Sequence, residues 1–213
     1  NYSSPFGGAV LSTGSSEIIL EKGRVSGNQA TSSGGTFCVD GNSSFTMKDS
    51  GDANMPSIIE DNRTNGDGGS IWLKDGSAAL DGGIIRNNRA NNGGVVYISG
   101  AGTVNLGSAV ISGNQAGNRG NGIHVNKGTL NITGTPIMSD QIYLPAGKMI
   151  NVKADLSTVE QKIPIVVENY NNEGAQFGTA TTKEFARKAA KAFVVTGGDL
   201  PVYAYNGGLY YGN

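Results

Sequence analysis

GGVVYISGAGTVNLGSAVISGNQ, residues 93–115, is one complete unit of a pattern that organises most of the chain. Gly93 and Gly94 turn the backbone. Val96 and Ile98 then alternate with outward-pointing neighbours, as a half-buried strand requires. A glycine-containing turn leads to a second alternating pair, Val104 and Leu106. After another turn comes Ile111, followed three residues later by Asn114.

The frame occurs five times, at intervals of 25 to 34 residues. It opens with Gly7-Gly8, Gly34-Gly35, Gly68-Gly69, Gly93-Gly94 and a degenerate Gly120-Asn121. The first inward pair is Val10/Ser12, Phe37/Val39, Ile71/Leu73, Val96/Ile98 and Ile123/Val125. The second is Ile18/Leu20, Phe45/Met47, Ala78/Leu80, Val104/Leu106 and Leu130/Ile132. A third apolar position reads Val25, Ile59, Ile85, Ile111 and Ile137. Three residues beyond it stand Asn28, Asn62, Asn88, Asn114 and finally Asp140.

Repeats of this length mark solenoids, and no unit has room for a helix of 3.6 periodicity. Three short strands per unit, each bonded to its equivalents one coil above and below at ~4.8 Å, describe a parallel β-helix with a narrow apolar core. The recurring Asn predicts an amide stack at one corner: Asn28, Asn62, Asn88, Asn114 and Asp140. Such a stack satisfies polar groups that would otherwise be buried unpaired.

The GGAV of residues 7–10 and the VSGN, IEDN, IRNN and ISGN motifs resemble the paired GGA(I/L/V) and FxxN motifs of chlamydial polymorphic outer-membrane proteins. Val or Ile stands where that family has Phe. Units of the form GGxIYV…GGxIxxNxA are similar to repetitive surface proteins of spirochaetes and Bacteroidetes-type bacteria. The resemblance covers residues 7–144. It implies a right-handed β-helix of the pectin-lyase-like type, in an adhesin-like protein at the bacterial cell surface, in the outer membrane or secreted. It carries over no catalytic residue.

Composition agrees with a single solenoid. The chain has 213 residues, 34 of them glycine, with no three-residue collagen period. A net charge of −1 with scattered Lys and Arg argues against a nucleic-acid partner. No apolar run is long enough to span a membrane. The chain begins with Asn and carries neither an initiator Met nor a signal peptide, so it reads as a piece of a longer protein. An open coil needs a cap, so residues 1–6 either make a minimal one or follow further coils, and the expectation is that further coils precede them. The single cysteine, Cys38, rules out an internal disulfide and reads as a small outward filler on the surface.

In the second repeat, twelve residues separate Met47 from Ile59, where other repeats use five. The surplus, Lys48 to Ser57, must loop out of the coil. Asp49, Asp52 and Asn54 within it lack the spacing and the bidentate Glu of an EF-hand, so the reading is a solvated loop without calcium. The outward position of the first strand runs Leu11, Cys38, Trp72, Tyr97 and His124. Stacking would bring Trp72, Tyr97 and His124 into one aromatic band, suited to a sugar ring or a protein partner, or simply to mutual packing. No second metal ligand is spaced to join His124, and neither a metal nor another cofactor is expected.

After Asp140 the frame ends. Residues 145–213 read as a β-rich C-terminal cap, following repeats over residues 1–144. Ile142–Leu144, Lys148–Val152 and Ile163–Val167 are strand-like. TTKEFARKAAKAF, residues 181–193, is the one helix expected, with Thr181 or Thr182 as N-cap and Phe185, Ala189, Ala192 and Phe193 on one face. Its basic residues read as a solvated face. Short strands over 193–196, 202–205 and 209–211 are split by Gly-Gly turns. IYLPAGK, a later FxVT and the final aromatic-glycine turn resemble the C-terminal ends of the same surface proteins.

The expectation is therefore an all-β, right-handed parallel β-helix of about five three-strand coils with a C-terminal cap containing one short helix. Its expected role is non-catalytic, a structural stalk or a module binding a glycan or a host or cell-surface protein. The alternative is a polysaccharide lyase or hydrolase, which would need clustered carboxylates. Here Glu60, Asp61, Asp67, Asp75 and Asp81 fall at different corners, and no catalytic residue is assigned. A flat ice-binding face is disfavoured because Thr36, Thr46, Thr103 and Thr129 do not line up as a continuous array.

Overall fold

The alternating segments form strands, and each pairs with its equivalent one repeat away rather than with its sequence neighbour. That pattern is seen in a computed structural model that describes residues 6–168, 174–196 and 201–212. The architecture is an all-β parallel solenoid, with one α-helix among the described residues, Lys183–Ala192.

The first sheet contains eight parallel strands: Val10–Ser12, Phe37–Val39, Ile71–Leu73, Val96–Ile98, Ile123–His124, Ile142–Leu144, Ile163–Val167 and Phe193–Val195. The second begins at Glu17–Leu20 and reaches Ala175–Ala180 by parallel steps. The hairpin Val202–Tyr205/Gly208–Tyr211 then adds to it antiparallel. The third runs from Gly23–Ser26 to Ile137–Met138. A fourth sheet, which the repeat pattern did not predict, joins Gln29–Ala30, Arg63–Thr64, Arg89–Asn92 and Gln115–Arg119. Its inward residues, Ala30, Thr64, Ala90 and Ala116, are small and carry no hydrophobic alternation.

The core is a stacked set of aliphatic rungs. Ile71, Leu73, Leu80, Ile85, Val96, Ile98, Val104, Leu106 and Ile111 are all fully buried. Where one rung is large its neighbour is small: Phe45 stands in register with Ala78 and meets Phe37 at 4.6 Å between ring centroids. Interiors are packed like crystals, so such compensation is required. The first coil differs, since Val10 remains 37% exposed at the described end of the stack.

Corner geometry explains the glycines. At each repeat start the first glycine is left-handed (Gly68 at φ +72°). A Cβ on the second, Gly69, would stand only 2.2 Å from the Gly94 carbonyl oxygen. Another left-handed corner precedes each ladder Asn, occupied by Gly27, Asp61, Asn87 and Gly113, the residue types that tolerate αL. The fifth repeat lacks this residue, and its register shifts accordingly. Met138 pairs with Ile111 and is fully buried, whereas Ile137, expected in the core, is 49% exposed.

The corner amides form one continuous ladder. The Nδ2 groups of Asn28, Asn62 and Asn88 each donate to the Oδ1 of the next Asn at 2.9 Å, and Asn114 donates to Asp140 Oδ2 at 2.7 Å. The same oxygens accept the backbone N–H groups of Asn28, Asn62, Asn88 and Asn114. Asp140, which must only accept, also takes the Gly113 N–H at 3.0 Å. A second ladder, unforeseen from sequence, lies outside the second sheet: Asn131 donates to Asn105, Asn151 to Asn131 and Thr179 to Asn151.

Parallel pairing continues past residue 144, to Phe193–Val195 in the first sheet. What ends there is the glycine-and-Asn frame, because the third and fourth sheets stop. The helix follows the last parallel strand of the second sheet. The Thr182 hydroxyl caps it, accepting the Phe185 N–H at 3.0 Å. Its buried face is Ala186, Ala189 and Ala192; Phe185, expected on it, is only half-buried. The small face lets it settle close to Phe177, Phe193, Leu209 and Tyr211, which belong to the same core. An Asn206-Gly207 turn with both φ positive closes the final hairpin. Residues 1–5 and the Gly197-Gly198 turn lie outside the described residues.

Candidate functional site

Outward positions of the first sheet line up as a column. Leu11 pairs with Cys38, Cys38 with Trp72, Trp72 with Tyr97, Tyr97 with His124, and His124 with Tyr143. Tyr143 extends the band by one rung beyond the repeats recognised in the sequence. Strand spacing of ~4.8 Å puts successive rings within contact. Tyr97 meets His124 edge-on at 5.0 Å, and His124 meets Tyr143 at 4.8 Å. Phe6 tilts against Trp72 at 5.6 Å.

From Trp72 to Tyr143 the column is graded from open to closed. Trp72 and Tyr97 are half-buried and present ring surface to solvent. His124 is 6% exposed and Tyr143 5%, so His124 serves as a packed ring between two tyrosines rather than as an open contact. Burial pushes its imidazole down to about 4. Asp67 and the Arg119 main chain pull the other way and are outweighed. The ring is therefore neutral at pH 7, and among the described residues its Nδ1 has no hydrogen-bond partner.

The closed end is sealed by charge. The Arg119 guanidinium lies over the Tyr143 ring at 4.8 Å, bonds its hydroxyl, and pairs with Glu168 at 2.5 Å. Glu168 also accepts the Ala146 N–H at 3.0 Å, and these partners hold its carboxyl down near 2. Burial, reinforced by Glu168, pushes the Tyr143 phenol up to about 12. Beside the open rings, Asp67 accepts both the backbone and side-chain N–H of Asn92. Thus the carboxylates nearest the column are committed to fixed donors.

Cys38 occupies its expected outward position but is not at the surface. It is 1% exposed, and burial with the nearby Asp40 raises its thiol to about 11. Residues 48–56 form the expected exposed loop, while Ser57 belongs to a strand and is fully buried. Asp49 and Asp52 use their carboxylates on the Gly51 and Asn54 N–H groups, as in Asx turns. Among the described residues no three His, Cys, Asp or Glu side chains are grouped to hold a metal.

Glu60 is the acid most deeply committed to structure. It is 2% exposed and paired with Arg24 and Arg86, each at 2.7 Å, which locks three coils together along the third sheet. A cleft of about 400 Å³ lies between the helix and the 156–159 segment, lined by Leu156, Val159, Arg187 and Lys188. It is a feature of the C-terminal end and contains none of the aromatic column. No helix among the described residues is long and apolar enough to cross a membrane. No family model, curated protein or solved structure matches this chain.

Proposed function

We propose that the chain is a right-handed parallel β-helix module of a bacterial cell-surface or secreted protein, and that it binds a glycan or a surface protein without catalysing a reaction. The right-handed sense follows from the strong preference of parallel strand connections for that hand. The observation that carries the binding reading is the graded aromatic column. Two half-open rings, Trp72 and Tyr97, stand on a column whose far end is immobilised by His124, Tyr143 and Arg119. Rigid rings lose little entropy on contact and suit sugar faces or protein hot spots. The non-catalytic reading is supported by the neighbouring groups. Glu168 is held ionised in an ion pair, Asp67 is occupied by Asn92, and His124 is a buried neutral ring.

The test is a panel of glycans and matrix proteins, screened with wild type and a Trp72→Ala/Tyr97→Ala double variant. Specific binding by wild type that vanishes in a variant with an unchanged circular dichroism spectrum is expected. Binding that survives the double substitution would remove the column from the site. Turnover of any polysaccharide in the panel would overturn the non-catalytic reading.

A further inference from the structure

On the outer face of the fourth sheet, Gln29, Arg63, Arg89 and Gln115 occupy one column, each in register with the next. Arg63 and Arg89 are thus like charges on adjacent strands, an arrangement that opposes folding. Three other arginines are neutralised by acids: Arg24 and Arg86 share Glu60, and Arg119 has Glu168. Among the described residues no acid pairs with Arg63 or Arg89. The Arg63 guanidinium donates, among these residues, only to the Gln29 side-chain oxygen, at 2.9 Å. Among the described residues the Arg89 guanidinium makes no hydrogen bond or ion pair. The two line a recess of about 360 Å³ together with Gln29. Thr64 and the Asn65 amide complete its lining, which is polar rather than apolar, and on the same sheet the exposed Asn118 donates to Asn91 at 3.0 Å.

We infer that Arg63 and Arg89 form an oxyanion site for an acidic polysaccharide, taking a carboxylate or sulfate group across two rungs of the sheet. Guanidinium forks at strand spacing can each donate to one oxyanion, which turns a repulsive pair into a charge-assisted one. The surrounding Gln and Asn amides are suited to hydroxyls of the same polymer. The cationic column is two rungs long and ends in neutral Gln on both sides, on a chain of net charge −1. A nucleic-acid strand, charged every ~3.4 Å, calls for a longer basic track. This site is on a different sheet from the aromatic column and does not depend on it.

The experiment measures binding of the whole chain to polygalacturonate, dextran sulfate, neutral dextran and polyuridylate at fixed ionic strength. It compares wild type, Arg63→Gln/Arg89→Gln and Trp72→Ala/Tyr97→Ala. Expected is binding to one or both acidic glycans but not to neutral dextran. The arginine variant should weaken it at least tenfold and the aromatic variant should leave it unchanged. The arginine variant should also melt no lower than wild type, since it removes a repulsion. Preference between polygalacturonate and dextran sulfate identifies the anion. Absence of binding to both, equal affinity for polyuridylate, or undiminished affinity in the arginine variant would overturn the assignment.

Discussion

Replacing Asn88 by Ala tests the amide ladder at its centre. Asn88 is fully buried, and its Nδ2 donates to Asn114 Oδ1, Ile59 O and Arg86 O. Its Oδ1 accepts both the backbone N–H and the Nδ2 of Asn62. Truncation removes all five bonds and leaves the Asn62 backbone N–H buried without an acceptor. One orphaned donor costs about 1–3 kcal/mol and each further net bond about 0.5–1.5 kcal/mol. Two amide hydrogens serve the three acceptors, so three net bonds are lost besides the orphaned donor, and the expected loss is about 2.5–7.5 kcal/mol, a large share of a domain's stability. The control is Asn28→Ala, at the other end of the ladder. That change removes the donations to Asn62 and Ser26, while the Asn28 N–H keeps its bond to Asn62. Its expected cost is about 1 kcal/mol. Urea unfolding of both variants, with m-values compared, gives the difference. Amide exchange at Asn62 should accelerate only in Asn88→Ala. Equal losses in the two variants, or a loss below 1 kcal/mol at Asn88, would refute the claim that the ladder stabilises by satisfying buried backbone donors.

Other expectations address single features. Gly69→Ala puts a methyl 2.2 Å from the Gly94 oxygen, so the coils must separate locally; a loss of about 2–3 kcal/mol is expected in urea unfolding. The His124 imidazole should titrate near 4 by NMR. Because the unfolded ring, ordinarily at 6.5, takes up its proton first, stability is full above about 6.5 and falls as pH drops toward 4; His124→Phe should flatten that segment of the pH profile. A buried thiol raised to about 11 should resist a thiol reagent at pH 8 and react fully in urea; rapid labelling of the native chain would contradict the burial of Cys38.

The repeat was readable because its corners demand special residues. Gly68-Gly69 and its equivalents meet two separate constraints, a positive φ and a carbonyl one coil away, and few other residues can stand there. The Asn column was readable for the same reason. The fourth sheet was not, since Ala and Thr facing inward over two to five residues give no hydrophobic alternation. The coils beyond Leu144 were only partly legible. Parallel pairing asks just for extended strands such as Ile163–Val167, not for glycine corners, so the stack outlives its own signature. At Ile137 the frame misled, because one missing corner residue moved Met138 into the core. Trp72, Tyr97 and His124 could be placed in one column from spacing alone. The closing of that column at His124 depends on Tyr143, Arg119 and Glu168, which lie 24 and 49 residues apart along the chain.

The amide ladder also has a direction. Every ladder Asn passes its side-chain N–H toward the next coil, and Asn62, Asn88 and Asn114 also receive from the one before, so the amide dipoles point the same way along the axis. Aligned dipoles add, as the peptide units of a helix do, and leave partial positive charge where the last N–H groups emerge. Asp140 stands at that place, with three N–H groups converging on its carboxylate. The solenoid thus has an electrostatic polarity independent of its surface charges. Inserting coils between Asn28 and Asn114 would lengthen the dipole while leaving its terminating anion where it is.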